Sequence, residues 1–271
     1  MVNRGLPDEG PLHLGSVTLP AGRLITPGDG SGEPTAWATI DPVPQAGRVW
    51  AALSELHPRT GLVPILLGSH INTAGIPLDL FEPEDPREAD RVDVGALLEN
   101  LWRGSVWADV DDPEVMEQWA PFSLEWPGLA PAQSTPLTPA ERQHALDVML
   151  PRIRQEHRET PDAQIALVAA SRPADVLAVT GWAGLVNHGE PLVPLTAVLR
   201  SWEDRFGARL IDVGAADLRL IVERPPRTLE AAQLLAAEQV HLADDCTHGA
   251  RDIPDLADHL LNGPIWTFWW D

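Results

Sequence analysis

The chain has 271 residues and 44% hydrophobic content, enough for one large domain or two small ones around an ordinary packed core. Its 40 Asp and Glu stand against 19 basic residues, a formal net charge of -21, which argues against nonspecific nucleic-acid binding and favours a basic partner. All the basic residues are arginine: without lysine there is no side-chain Schiff base and no Walker-type phosphate loop, and without tyrosine no phenolic acid or base.

Cys246 is the single cysteine, so no internal disulfide forms and a reducing compartment is expected. Met1 to Pro11 carries Arg4 with no apolar run behind it, unlike a secretory signal, and no stretch has the apolar length of a membrane span. The expectation is a cytoplasmic protein without membrane attachment.

Residues 1 to about 45 are turn-rich, with short strands expected at Leu12 to Leu19 and Thr35 to Ile40. Gly28-Asp29-Gly30-Ser31-Gly32 reads as a loop, because the G-x-G-x-x-G spacing of a dinucleotide fingerprint fails at Glu33. Val49, Ala52, Leu53 and Leu56 share a helical face that Pro58 should stop. Leu62 to Leu67 follows as a strand whose Pro64 points to an edge or a bulge. Asp79 to Asp93 is acidic and loop-like, and Asp93 is placed to cap a helix with Val94, Leu97, Leu98 and Leu101 on one face. Trp102, Trp107, Trp119 and Trp126 come next; they suit either a ligand groove or a satellite core around long loops.

Thr138-Pro139-Ala140-Glu141 is a helix start with a threonine cap, a proline in the first turn and a glutamate that reaches back. That helix should bend or end near Pro151. Gln164 to Ala170 reads as a strand, and a short helix runs from about Pro173 to Gly181. Leu195, Val198, Leu199, Trp202 and Phe206 form one face of a helix ended by Gly207, which turns Trp202 inward. Ala208 to Val213 and Leu218 to Glu223 form a hairpin, Thr228 caps a helix from Leu229, and Ile265 to Trp270 closes the chain as a strand.

The expected fold is α/β (α+β), a mixed sheet covered by helices, with the C-terminal part following a split β-α-β-β-α-β plan with added helices. The expected organisation is a Pro/Gly- and Trp-rich region of mixed character at 1–126, a connector at 127–137 and a C-terminal α/β domain at 138–271.

The most promising charged set is Glu203 and Asp204 with Arg200, Arg205 and Arg224: paired carboxylates can divide acid and base roles, and arginine can clamp an anion. Ion pairs that lock a helix to the sheet would use the same residues. His241, Asp244, Asp245, Cys246 and His248 offer imidazole, carboxylate and thiolate groups suited to a divalent metal such as zinc, at a spacing that fits no established finger or catalytic signature. Asp109, Asp111, Asp112 and Glu114 are carboxylates for a hard cation, but Pro113 and Glu114 break the EF-hand pattern, so an acidic turn is the preferred reading. Ser69-His70 are neighbours in sequence, which supplies no nucleophile–base geometry. No cofactor is predicted.

The segments Gly181-Trp182, Ser201-Trp202-Glu203-Asp204-Arg205-Phe206-Gly207, Glu223-Arg224-Pro225-Pro226 and the Trp266-Thr267-Phe268-Trp269-Trp270-Asp271 ending resemble, in their order, the bacterial family of uncharacterised proteins catalogued as domain of unknown function 4253. The resemblance covers roughly the last two fifths of the chain and implies a family without an activity. Members commonly carry Ala-Glu-His and then Cys-Pro-Asp after the long helix. Ala237-Glu238-Gln239 and Ala243-Asp244-Asp245-Cys246 stand there in this chain. The functional expectation is a binding or protein-interaction module, with a basic protein as its partner. The alternative is a metal-dependent or carboxylate-based hydrolase or transferase acting on a small molecule.

Overall fold

The computed structural model describes residues 5–26, 32–68, 82–106, 119–122, 125–156, 162–185, 191–240, 242, 246–247 and 252–270. Its centre is one nine-stranded mixed sheet of order β1-β2-β3-β5-β4-β6-β7-β9-β8. The strands are β1 (Gly10–Leu14), β2 (Val17–Ile25), β3 (Ala36–Thr39), β4 (Leu62–Leu67), β5 (Gln164–Ala169), β6 (Ala208–Val213), β7 (Asp217–Val222), β8 (Cys246–Thr247) and β9 (Ile265–Trp269). All neighbours pair antiparallel except β4 and β6, which run parallel at Leu66–Asp212 and Leu67–Val213. From residue 164 the chain follows the expected β-α-β-β-α-β order, and β4 from the N-terminal region lies between β5 and β6.

The central strands are apolar on both faces because both are covered. Val63, Ile65 and Leu67 of β4 and Ala166 and Val168 of β5 turn to one core, while Leu62, Leu66, Ile165 and Leu167 turn to the other. The first core is filled from helices α2 (Val94–Val106), α5 (Val176–Thr180), α6 (Leu192–Phe206), α7 (Leu229–Gln239) and α8 (Ile253–Leu260). The second packs against α1 (Ala46–Thr60) and the helical run made of α3 (Pro139–His144), a π turn (Ala145–Met149) and α4 (Leu150–Glu156). No helix among the described residues is long and apolar enough to cross a membrane.

Local chemistry sets the element ends. Thr138 accepts from the Glu141 N–H (3.2 Å) while the Glu141 carboxylate accepts from the Thr138 N–H (2.7 Å), closing the capping box. Asp93, Thr228 and Asp252 accept backbone N–H groups at the starts of α2, α7 and α8. Gly207 ends α6 in the left-handed region at φ 65°, donating back to Glu203.

Three details depart from or refine the sequence reading. Helix α1 runs through Pro58 to Thr60 and stops at Gly61; in the last turn a proline removes only one ladder bond. Pro64 lies in an internal strand, tolerated because pairing with β6 begins only at Leu66. Near Pro151, where a bend or an end was expected, the helical run passes through a π turn, in which the Leu150 N–H reaches the Ala145 carbonyl, and continues to Glu156. Trp102, Trp119, Phe122 and Trp126 pack ring against ring at 5.5 to 6.3 Å and join the first core; Trp107 lies outside the described residues.

A Cβ on Gly22 of β2 would sit 2.2 Å from Cζ2 of the buried Trp37 ring. Gly22→Ala is therefore expected to destabilise the fold by about 1–3 kcal/mol, read as a lower denaturant midpoint at unchanged slope.

Candidate functional site

Helix α6 carries most of the charged set singled out in the sequence, and its two sides use it differently. On one side, Arg200 donates from Nε to Asp175 (2.7 Å) and from Nη1 to Asp90 (2.6 Å). Arg172 reaches over the same side: its Nη2 donates to Asp204 (2.6 Å) and to the Arg200 carbonyl (3.3 Å), and its Nε to Glu203 (3.4 Å). The Ala174 N–H also points to Glu203 (3.4 Å). Arg200, Glu203 and Asp204 thus converge with Arg172, Asp175 and Asp90 in one mixed-charge belt.

Burial pushes the Glu203 carboxyl above its ordinary range; the Arg172 guanidinium and the Ala174 N–H pull the other way without cancelling it. A carboxyl raised by burial, Glu203, next to the exposed Asp204 has the geometric form of an acid–base pair. Both carboxylates, however, are engaged by the same guanidinium.

Arg205 faces away from that belt. It grips the buried Glu238 of α7 through two bonds (2.7 and 2.6 Å) and donates to the Ala130 carbonyl (2.9 Å). Glu238 also accepts from the Trp202 indole (2.9 Å) and the Ala130 N–H (2.7 Å), so its charge is fully solvated by protein donors. Arg224 stands at the end of α6, donating to the Asp204 carbonyl (3.0 Å), while its own N–H bonds Phe206 O (2.8 Å). A Cβ on Gly207 would lie 2.9 Å from Glu223 Cβ and 3.0 Å from Arg224 Nη1, which explains the glycine beyond its positive φ.

The aromatic residues near α6 form one packed group. Trp202 stacks on Phe268 (5.4 Å) and meets Trp266 edge-on (5.7 Å), and Phe206 meets Trp266 at 5.5 Å. Trp182 meets Trp270 at 5.5 Å and donates to the Gly214 carbonyl (2.9 Å). Trp269 departs from the covered pattern and is 40% exposed.

A second charged group was missed in the sequence. Asp212 of β6 lies in the core between the guanidiniums of Arg154, on α4, and Arg219, on β7 (2.9 Å). Arg219 also pairs with Asp217 (3.1 Å), and Arg154 reaches the Leu67 carbonyl at the end of β4 (3.5 Å). The available signal was the presence of Asp212 and Arg219 inside apolar strands: with both sheet faces covered, such residues have no route to water and need partners.

The metal-ligand candidates His241, Asp244, Asp245 and His248 lie outside the described residues. For Cys246 only the backbone, in β8, is described. Asp109, Asp111, Asp112 and Glu114, and Ser69 with His70, also lie outside. Among the described residues no group of three or more His, Cys, Asp or Glu is arranged to hold a metal ion.

The family model described as Domain of unknown function (DUF4253) matches residues 164–271, the part of the chain from β5 onward. No curated protein and no solved structure matches the chain. The motif residues that carry the family resemblance are the ones just placed: Trp182, Trp202, Phe206, Trp266, Phe268 and Trp270 pack with one another, and Gly207 makes room for Glu223 and Arg224. In this chain those described residues serve packing and ion pairing.

Two outcomes follow for the charged groups. Arg219→Met leaves Asp212 and Asp217 buried without that guanidinium and is expected to cost about 3–5 kcal/mol in chemical denaturation. Because the folded state raises the Glu203 pKa above 4.5, it holds that proton more tightly than the unfolded chain. The group's contribution is full below that value and is lost as pH rises through the folded pKa. Wild type should therefore lose stability relative to Glu203→Gln as pH rises from about 4 to about 7, in paired urea titrations.

Proposed function

We propose that the protein is a cytoplasmic binding module that engages a basic protein through the acidic surface around α6. The observation that carries this reading is the layering of charge on the belt. Two of its carboxylates stand outside the guanidiniums that hold them: the Arg200 side chain is 13% exposed against 72% for Asp90, and Arg172 32% against 69% for Asp204, while Glu203 and Asp175 lie deeper.

Glu82, Asp85 and Glu88 extend the exposed carboxylates along the neighbouring 3-10 turn (Pro86–Arg91), where Arg87 and Arg91 are the exposed cations. On the turn Arg87 and Arg91 stand farther out than the Asp85 and Glu88 they pair with, whereas at Asp90 and Asp204 a basic partner would meet carboxylates whose positions are already fixed by the arginines below. That lowers the ordering cost of association and steers encounter at low salt. The other two members of the charged set, Arg205 and Arg224, are occupied in holding α6 to its surroundings, which fits a scaffold more closely than a reaction centre.

The test is recovery of the tagged chain from its native cells at low and moderate salt, beside a Glu82→Gln, Asp90→Asn, Asp204→Asn variant with an unchanged melting temperature. The expected result is a stoichiometric basic protein that is retained by wild type, released by salt and depleted in the variant. A chain recovered alone, or a partner held equally by the variant, overturns the reading and returns the weight to the hydrolase or transferase alternative.

A further inference from the structure

Helix α6 begins at Leu192, and Pro191 before it offers no side-chain cap. The cap comes from far upstream. The Glu84 carboxylate accepts the Leu192 N–H with one oxygen and the Val193 N–H with the other, both at 2.9 Å, and so satisfies two of the donors that a helix start leaves free. The Glu84 N–H in turn donates to the Ala178 carbonyl of α5 (2.8 Å).

From Glu84 the chain runs beside α6, and its second attachment is Arg200, roughly 12 Å further along the helix at the ordinary rise. Nη1 of Arg200 donates to Asp90 (2.6 Å) and Nε to Asp175 (2.7 Å). Between the two attachments lies the 3-10 turn, with Ala89 buried and its neighbours Glu88 and Asp90 exposed. The pairs of Arg87 with Asp85 and of Arg91 with Glu88 join residues within this segment and do not fasten it to the body of the protein. The segment from Glu84 to Arg91 is a strap, clasped to α6 by a carboxylate at one end and by a guanidinium at the other.

The two carboxylates on Arg200 are unequal. The Asp175 side chain is 3% exposed, against 72% for Asp90. Losing its cation would leave a buried charge at Asp175, whereas Asp90 can return to water, so the clasp opens at Asp90. Arginine suits this position because its donors sit on separate nitrogens and can serve two carboxylates at once; a lysine has a single nitrogen.

We infer that Arg200 is a positioning residue of the acidic surface: it holds the strap, and Asp90 with it, against α6. This rests on the reading of that surface as the contact for a basic protein. The partner then depends on where the strap is held as well as on how many charges it carries, because a docked strap need not be ordered on binding.

The test compares the full chain as wild type, Arg200→Lys, Asp90→Ala and, as a control, Arg152→Lys in the exposed pair with Glu156, each checked by circular dichroism for an unchanged fold. Both lysine variants keep the formal charge of -21, and Asp90→Ala opens the clasp at an exposed site while leaving Asp175 paired. Amide hydrogen exchange read by mass spectrometry reports on the strap, and the basic protein retained by wild type from native cells reports on the surface. The expected result is exchange about fivefold faster over the strap in Arg200→Lys and Asp90→Ala, unchanged in the sheet and unchanged throughout Arg152→Lys. Partner retention is expected to fall in Arg200→Lys although no charge has been removed. Unaltered strap exchange in both variants overturns the inference, whatever is recovered. So does exchange that quickens over the whole chain, which marks Arg200 as a support of the fold at large, or faster strap exchange with partner retention undiminished in Arg200→Lys. A wild type that retains no basic protein overturns the reading of the surface and Arg200's positioning role with it, while the exchange rates still decide whether the clasp holds the strap.

Discussion

A carboxylate shut inside a protein core must be solvated by the protein itself, and Asp212 is the place where this chain meets that demand. Two guanidiniums surround it, one carried by α4 and one by β7, and the first also reaches the carbonyl of Leu67 where β4 ends. Four elements are thereby fixed at a single point, on the sheet face that α1 and α4 cover. Hydrophobic contact tolerates small sliding of a helix over a sheet; a bonded guanidinium does not, because a shift that breaks its bonds leaves charge in a low-dielectric interior.

The parts of this fold that were legible in the sequence are those governed by neighbours in the chain. Thr138, Thr228 and Asp252 cap helices because a short side-chain oxygen meets a free N–H two or three residues on, and Gly207 ends one because only glycine is comfortable at positive φ. Pro64 misled because proline advertises a missing donor without saying which edge of the strand is vacant. The entry of β4 between β5 and β6 has no local signal either: its parallel ladder with β6 joins residues separated by about half the length of the chain, and nothing at Leu66 names Asp212 as its neighbour.

The charged set was legible in membership and illegible in arrangement. Helical spacing separates Arg200, Glu203 and Asp204 from the apolar stripe, and they do share one belt. It could not supply the partners, since Asp90, Arg172 and Asp175 come from other elements, nor could it show that Arg205 turns inward to Glu238. Asp212 and Arg219 escaped notice for a related reason. Alternation in a strand is ordinarily read as apolar in and polar out, and that reading fails when helices cover both faces.

The position of β4 bears on what the matched region can form by itself. Residues 164–271 begin at β5, yet β5 touches β6 only by way of a strand contributed from upstream. Taken alone, that segment would leave a sheet with an empty slot in the middle, its β5 separated from the β6–β7–β9 group by the width of one missing strand. In this chain the matched segment and the segment that closes the sheet therefore have different ends.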